Sequence, residues 1–206
     1  MPVGKYTGKQ NATTPRPVWQ RAGIAVGILV GAMWVLELID TFPGVNLDQF
    51  GIVARSLVGL RGVVFSPLLH LGWIHLIANT VPLMVVGFVV LVTDFRRGIE
   101  ATIIIWLVGG LGTWLIAPPR TVTIGASGVV FGLVTYAIVR GWYSKHFGEL
   151  ALGVVVLVTY GSVLWGVLPL RPGVSWQGHL CGAAAGIFAA WAVNRDRSGA
   201  APGIAQ

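Results

Sequence analysis

Residues 121–139 read TVTIGASGVVFGLVTYAIV, an uncharged stretch with three glycines and one serine among apolar side chains. A bilayer core takes about 17 to 25 residues of helix, so this stretch is long enough to cross a membrane. Five further uncharged runs cover residues 22–36, 62–93, 101–119, 150–170 and 172–194. The sequence therefore predicts an all-α integral membrane protein with a bundle of six transmembrane helices. The first run is short, so its helix is expected to continue past Glu37 and Asp40 to about Phe42.

The composition excludes a soluble globular domain. The chain has 206 residues, of which 55% are hydrophobic and only 10% are charged, with a mean hydropathy of +0.78. Soluble domains carry about 25% charged residues, which cover their surface. The single cysteine, Cys181, excludes an internal disulfide and a cysteine-based metal site. We expect no cofactor and no metal.

The basic residues predict how the helices are oriented. The chain has 14 lysines and arginines against 7 acids. Alternating the connections places four of the basic residues on one side, namely Arg55, Arg61, Arg120 and Arg171, and the other ten on the opposite side with both termini. The positive-inside rule then predicts cytoplasmic termini. A nucleic-acid partner is not expected, because no basic patch interleaved with aromatic residues is present. A bacterial plasma membrane is the expected location.

Three regions are predicted along the chain. Residues 1–21 form a basic cytoplasmic tail, 22–194 the six-helix domain, and 195–206 a second cytoplasmic tail. The only long connection is 43–71, which has apolar residues at near-helical spacing and is predicted to be an external amphipathic segment at the interface. The sequence does not determine an oligomeric state, because every glycine face can be used within the core.

Four polar residues fall at similar depth in the predicted helices. At 1.5 Å per residue, His75, Asn79, Ser127 and His179 lie roughly 28, 22, 20 and 24 Å from the cytoplasmic ends of their helices. In a core of about 30 Å they share its outer third. Ionisable groups in a bilayer are costly, so such a layer indicates a functional site that opens to the external face.

Glycine spacing predicts that two of these helices pack closely. Ser127 precedes Gly128 and Gly132, and His179 precedes Gly182 and Gly186. Small residues four apart let helix backbones approach. We therefore expect the serine and the imidazole to come within hydrogen-bond reach.

The resulting pair has the chemistry of a catalytic dyad. Histidine is the base best matched to neutral pH, and a serine becomes nucleophilic when a base takes its proton. The dyad lacks an acid at its depth, so packing or a neutral group must orient the imidazole. Candidate donors to a developing oxyanion are the backbone N–H of Ser127 and the side chains of His75 and Asn79.

Other interpretations of the same residues stay open at this level. A serine beside glycine in a membrane helix is usually a packing residue, and a lone membrane histidine is more often structural or part of a proton path. One alternative is a non-catalytic protein that binds membrane clients in the same helix bundle. A less favoured alternative is a proton-coupled carrier that uses His75 and His179 as relays.

Three motifs together resemble the rhomboid family of intramembrane serine proteases, in its bacterial six-helix form. They are GASG at 125–128, HLGWIHLIAN at 70–79, and Gly178-His179 followed by Gly182 and Gly186. The resemblance implies a peptide-bond hydrolase that acts in or near transmembrane segments of other membrane proteins, within a lipid bilayer. Substrates with helix-destabilising and small residues near the cleavage site are implied as well.

The resemblance also implies roles for individual residues. Ser127 would be the nucleophile and His179 its general base. His75, Asn79 and the Ser127 N–H would form the oxyanion hole, with Gly125 beside it. The chain departs from the family pattern at three positions. The family's Trp-Arg pair is missing, since Arg61 has Gly62 beside it; Leu91 stands where the family often has a glutamate, and Phe131 where it often has a tyrosine. The loop 169–175 is a candidate lid.

Overall fold

The computed structural model describes residues 15–144, 146–169 and 173–199, without the side chains of 162–164 and 196–199. Most of the predicted N-terminal tail, residues 200–206 of the C-terminal tail, and Lys145, Arg171 and Pro172 lie outside the described residues.

The described chain is built almost entirely from helices. They are α1 (Val18–Asp40), α2 (Gly62–Phe65), α3 (Trp73–Thr93), α4 (Phe95–Ile116), α5 (Ser127–Ser144), α6 (Phe147–Tyr160) and α7 (Trp176–Gly199). A 3-10 helix, Gly161–Val167, follows α6 directly. The short α2 is a single turn in the connection 43–71, which is predicted to be external and is called the external connection below. The other six helices are the long elements of the bundle.

Three of these helices are long and apolar enough to cross a membrane, namely α1, α3 and α4. They expose large apolar side chains such as Ile28 and Ile74 on the outside of the bundle. Helix α5 differs because it is the central element, and every residue from Val129 to Ala137 is buried. A helix enclosed by protein can carry glycine and polar groups that a lipid-facing helix cannot, which lowers its hydropathy.

Several predicted boundaries are wrong by a few residues. Helix α1 ends at Asp40 and does not reach Phe42. The charged residues 94–100, which separate two of the uncharged runs and are expected from the sequence to form a short connection, instead begin α4, because Asp94 caps this helix by accepting the Arg97 backbone N–H at 3.1 Å. A search for uncharged runs misses such charged first turns, since a helix end outside the apolar layer tolerates charge.

The external connection is not one amphipathic helix. It contains short 3-10 turns, α2 and a two-residue strand, β1 (Ile52–Val53). This strand pairs antiparallel with β2 (Val122–Thr123), with Ile52 opposite Thr123. The sequence predicts no strand at these positions, because two residues give no periodic pattern. The pairing ties the external connection to the segment that leads into Ser127.

Two tryptophan side chains of α4 bind this connection, and an arginine forms a hydrogen bond within it. Trp106 Nε1–H donates to the Val63 carbonyl at 3.0 Å, and Trp114 Nε1–H donates to the Ser56 carbonyl at 2.9 Å. Arg61 donates to the Gln49 carbonyl at 3.0 Å. These hydrogen bonds therefore anchor the connection even though Gly62, and not a tryptophan, stands beside Arg61.

Helices α5 and α7 approach each other through glycine. A Cβ added at Gly182 would lie 2.7 Å from the Gly128 carbonyl carbon, and one at Gly186 would lie 2.8 Å from the Gly132 carbonyl carbon. Carbon atoms normally stay about 3.5 to 4.0 Å apart. Thr135 Oγ1–H also donates to the Ala183 carbonyl at 2.8 Å. The backbones can be this close only because these positions lack side chains.

A buried ion pair closes the opposite end of α5. Arg140 on α5 and Glu149 on α6 are joined by an N–O contact of 3.0 Å, and the arginine side chain is 2% exposed. Gly141 lies against the backbone of Leu150, which brings the two helices together here.

Candidate active site

Ser127 is the first residue of α5, and glycine makes the turn that places it there. Gly125 has a φ of +111°, a conformation that L side chains rarely adopt. Its N–H donates to the Ser66 carbonyl at 2.9 Å, and the next N–H, of Ala126, donates to His70 Nε2 at 3.4 Å. The loop before the serine is thus held by the end of the external connection.

The side chains of Ser127 and His179 meet across the α5–α7 contact. Ser127 Oγ lies 2.8 Å from His179 Nε2. The other ring nitrogen, Nδ1, lies 2.9 Å from the Gly166 carbonyl oxygen, which can only accept. The proton of a neutral His179 is therefore on Nδ1, and Nε2 is free to accept the serine proton. This is the tautomer that a general base requires.

Two neutral groups orient the His179 ring. One is the Gly166 carbonyl, and the other is the Phe131 ring, which stacks on the imidazole with centroids 4.1 Å apart and planes 10° from parallel. A Cβ at Gly166 would lie 2.7 Å from Phe131 Cζ and 3.1 Å from His179 Nδ1. Gly166 lies beside both rings, where a larger residue would collide with them, and its carbonyl takes the place of an acid.

Gly166 is the site residue that the sequence reasoning missed. The absence of an acid indicated that a neutral group must orient the imidazole, but nothing in the sequence distinguished one carbonyl from another. Gly166 is the next-to-last residue of the 3-10 helix after α6, so its carbonyl has no donor within that helix. Only tertiary packing brings it to His179.

His75, Asn79 and Gly125 lie together beside Ser127. His75 Nδ1 accepts the Leu71 backbone N–H at 3.2 Å, so its Nε2 carries the proton and is a donor. A Cβ added at Gly125 would lie 2.9 Å from His75 Nε2 and 3.9 Å from Asn79 Nδ2. The His75 and Asn79 donor atoms therefore both lie next to Gly125.

The third candidate donor is the Ser127 backbone. As the first residue of α5, its N–H has no acceptor within the helix. Asn79 is 4% exposed and donates one amide hydrogen to the His75 carbonyl at 2.9 Å, which fixes its side chain against α3. The candidate donor residues of α3 and α5 thus line one cleft together with the serine.

A cleft of about 740 Å³ opens in front of these residues. Its inner wall contains Ser127, His179, His75 and Asn79 together with apolar groups such as Phe131. The polar residues Asn46, Asp48 and Gln49 of the external connection also line it. The cleft is thus bordered by helices and by this connection.

Part of the candidate lid borders this cleft. Gly173, Val174 and Ser175 line it, while 170–172 lie outside the described residues. Ser175 Oγ lies 3.3 Å from Thr123 Oγ1, which connects this segment to β2. The described part of the loop is therefore next to both the dyad and the strand that leads to it.

A family model described as the rhomboid domain matches residues 58–196. The matched range includes every candidate site residue named above. The chain belongs to the rhomboid family. Rhomboid membership, with the apolar helices, identifies an integral membrane protein and supports an intramembrane-protease kind of function.

Similar proteins include rhomboid-like and uncharacterized ones. An uncharacterized protein of Mycobacterium tuberculosis H37Rv is 43% identical over 198 residues, which cover 92% of this rhomboid and 82% of the relative. An uncharacterized protein of Mycobacterium leprae is 38% identical over 190 residues, covering 88% and 75%. Rhomboid-like protein 11, chloroplastic, of Arabidopsis thaliana is 28% identical over 140 residues, covering 61% and 50%.

The departures from the rhomboid pattern have packing partners. Leu91 is 5% exposed and packs in a small apolar cluster with Ala22 and Val26 of α1. Phe131 provides the face on which His179 stacks. These two positions therefore have apolar contacts in place of polar ones.

Proposed function

We propose that this protein is an intramembrane serine endopeptidase that hydrolyses peptide bonds in or near transmembrane segments of other membrane proteins. The observation that carries the proposal is the 2.8 Å contact between Ser127 Oγ and His179 Nε2, with Nδ1 held by a carbonyl. A structural serine has no need of a histidine in the tautomer of a general base. Membership of the rhomboid family adds independent support.

The proposed reaction uses the residues of the site in sequence. His179 takes the proton of Ser127 as Oγ attacks the substrate carbonyl, and the resulting oxyanion accepts hydrogen bonds from His75, Asn79 and the Ser127 N–H. His179 then passes its proton to the leaving amine, which leaves an acyl-enzyme. In the second half His179 activates a water that hydrolyses the ester. Neither a cofactor nor a metal has a part in these steps.

We propose that the substrate is extended at the bond to be cut. A transmembrane helix hides its carbonyl groups in its own hydrogen bonds, so the segment to be cut must unwind before Ser127 can reach it. Small and helix-destabilising residues lower the cost of unwinding. We therefore propose transmembrane proteins with such residues near the cleavage site as substrates, cut in contact with the lipid bilayer.

We further propose that residues 22–194 span a bacterial plasma membrane six times, with cytoplasmic termini and an outward-facing cleft. Helices α5, α6 and α7 would complete the spans of α1, α3 and α4. In a Cys181→Ser background, a membrane-impermeant maleimide added to intact cells should label Leu57→Cys, which is 83% exposed in the native protein, but not Arg96→Cys. Labelling of Arg96→Cys alone would reverse the proposed orientation.

Labelling by a fluorophosphonate tests the proposed activity. Wild type should be labelled, Ser127→Ala and His179→Ala should not, and Ser144→Ala, a serine at the far end of α5, should be labelled like wild type. A fluorogenic transmembrane peptide should be cleaved with the same pattern.

Each alternative predicts a different outcome of this experiment. A folded wild type that is never labelled but still captures a membrane protein would be a client-binding member. Ion-dependent flux that persists in Ser127→Ala would indicate a carrier. Labelling that survives Ser127→Ala would show that the dyad assignment is wrong.

A further inference from the structure

Two buried polar atoms without a partner line one small cavity near the external end of α1. They are Oε2 of Glu37, on α1, and Nδ1 of His70, just before α3. Glu37 is 4% exposed and His70 is 2% exposed. Neither atom makes a hydrogen bond within the described part of the chain. A buried polar group without a partner costs about 1 to 3 kcal/mol, so two such atoms in one cavity indicate a contact between them.

The remaining polar groups around the cavity leave this contact available. Asp40 accepts the Leu47 backbone N–H, and Asp48 faces the cavity from the external connection. The Leu68 carbonyl is near the His70 ring but does not meet the geometry of a hydrogen bond to Nδ1. The Gly72 backbone N–H is also near the Glu37 carboxyl, but Oε2 of Glu37 accepts no hydrogen bond, and His70 Nδ1 is the unpartnered nitrogen beside the same cavity.

The other side of the His70 ring contacts the catalytic loop. Nε2 accepts the Ala126 backbone N–H at 3.4 Å, immediately before Ser127. A ring nitrogen that accepts carries no proton, so the proton of neutral His70 is on Nδ1, toward the cavity. Burial and the neighbouring His75 lower the pKa of His70 to about 4, so the ring is neutral at neutral pH.

His70 also contacts the oxyanion site. Its ring lies edge-on to His75, with centroids 5.2 Å apart and planes at 64°. A change in the His70 ring would therefore move both the backbone before Ser127 and one of the proposed oxyanion donors.

We propose that Glu37 is a positioning residue that accepts the Nδ1–H of His70, and that this pair fixes the turn Gly125–Ser127 against His75. The cavity leaves no room for a free water, so the proposed contact is direct. The functional consequence rests on the proposed proteolytic activity, because the residues being positioned are its nucleophile and its oxyanion donors. The contact itself does not depend on that activity.

The first test measures the His70 tautomer. The chain has four histidines, so 15N-histidine labelling of the full protein in lipid nanodiscs gives few signals, and His70→Gln assigns the relevant one. Wild type should show His70 protonated on Nδ1. Glu37→Gln should keep this tautomer, because its amide oxygen still accepts, whereas Glu37→Leu should populate the other. A wild-type His70 protonated on Nε2 would overturn the proposal, whatever the protein does to peptides.

The second test measures the rate of fluorophosphonate labelling at Ser127. Glu37→Leu should slow it about 10-fold, which corresponds to one buried hydrogen bond of roughly 1.4 kcal/mol, while Glu37→Gln should stay within about 3-fold of wild type. Glu100→Leu, at an exposed acid on the cytoplasmic half of α4, is the matched control and should label like wild type.

The outcomes separate the proposal from the proposed activity. If wild type is not labelled, the proteolytic function fails while the tautomer measurement still decides the contact. If Glu37→Leu is folded and labels at the wild-type rate, or if Glu37→Gln is slowed as much as Glu37→Leu, the positioning role is wrong. The double variant Glu37→Leu/His70→Gln should be no slower than His70→Gln alone, since both changes break one contact. Additive losses would also contradict the proposal.

Discussion

Replacing Gly182 by alanine should separate α5 from α7 and break the dyad. The added Cβ would lie 2.7 Å from the Gly128 carbonyl carbon and closer still to its oxygen. Because carbon atoms normally stay at least about 3.5 Å apart, the two backbones must move apart by roughly 1 Å. Gly128 follows Ser127 directly, and Gly182 is one turn after His179.

The same displacement decides the expected loss of activity. The Ser127–His179 contact is 2.8 Å, so a separation of about 1 Å takes it beyond the range of a hydrogen bond. A misplacement of about 1 Å at reacting groups can cost about 100-fold in rate, and we expect a loss of this size. Overpacking should also lower the free energy of unfolding by about 1 to 3 kcal/mol.

The assay is the rate of fluorophosphonate labelling in nanodiscs, together with thermal unfolding. Gly27→Ala is the matched control, because a Cβ at Gly27 meets nothing within 4 Å. Both changes favour the helix intrinsically, by about 1 kcal/mol, so lost helix propensity cannot explain a lower rate. A folded Gly182→Ala protein that labels at the wild-type rate would refute the reasoning that close backbone approach assembles the dyad.

Three further predictions concern the oxyanion site, the buried ion pair and His70. Gly125→Ala should slow labelling of Ser127 by about 100-fold or more, because its Cβ would lie 2.7 Å from His75 Cε1 at a φ of +111°, and a wild-type rate would contradict the oxyanion assignment. Arg140→Met should lower the free energy of unfolding by about 3 kcal/mol, because it breaks the pair with Glu149, and Arg140→Met/Glu149→Met should recover most of this loss. Denaturant titration in detergent measures both values, and a single variant as stable as wild type would contradict the prediction. The stability of wild type should fall by about 3 kcal/mol as pH decreases from 6.5 to 4, because the unfolded chain protonates His70 near its ordinary pKa of 6.5 and the folded one only near 4; the same pH dependence in His70→Gln would contradict this assignment.

Much of the candidate site could be predicted from sequence because its signals are local. Depth along a helix follows from counting residues, which placed Ser127 and His179 in one layer. Glycine spacing indicated which faces can approach. The structure accordingly has Gly182 against the Gly128 backbone and the two side chains 2.8 Å apart.

The conformation of the external connection could not be predicted from local patterns. Its near-helical spacing predicted an amphipathic segment, but the structure has short turns and a two-residue strand. Its shape depends on contacts with residues far along the chain, such as Trp114 Nε1–H to the Ser56 carbonyl. No local pattern contains such a contact, because it links residues 58 positions apart.

The sequence by itself determined the membrane class, the apolar runs and the residue types that could do acid–base chemistry, because hydropathy and spacing act along a single helix. Only the tertiary structure decided which groups complete the site. The Gly166 carbonyl sets the His179 tautomer, and the buried side chains of Glu37 and His70 line one cavity behind the loop that leads to Ser127. Both depend on a backbone carbonyl or a buried side chain brought from another element, and such contacts arise from packing in three dimensions.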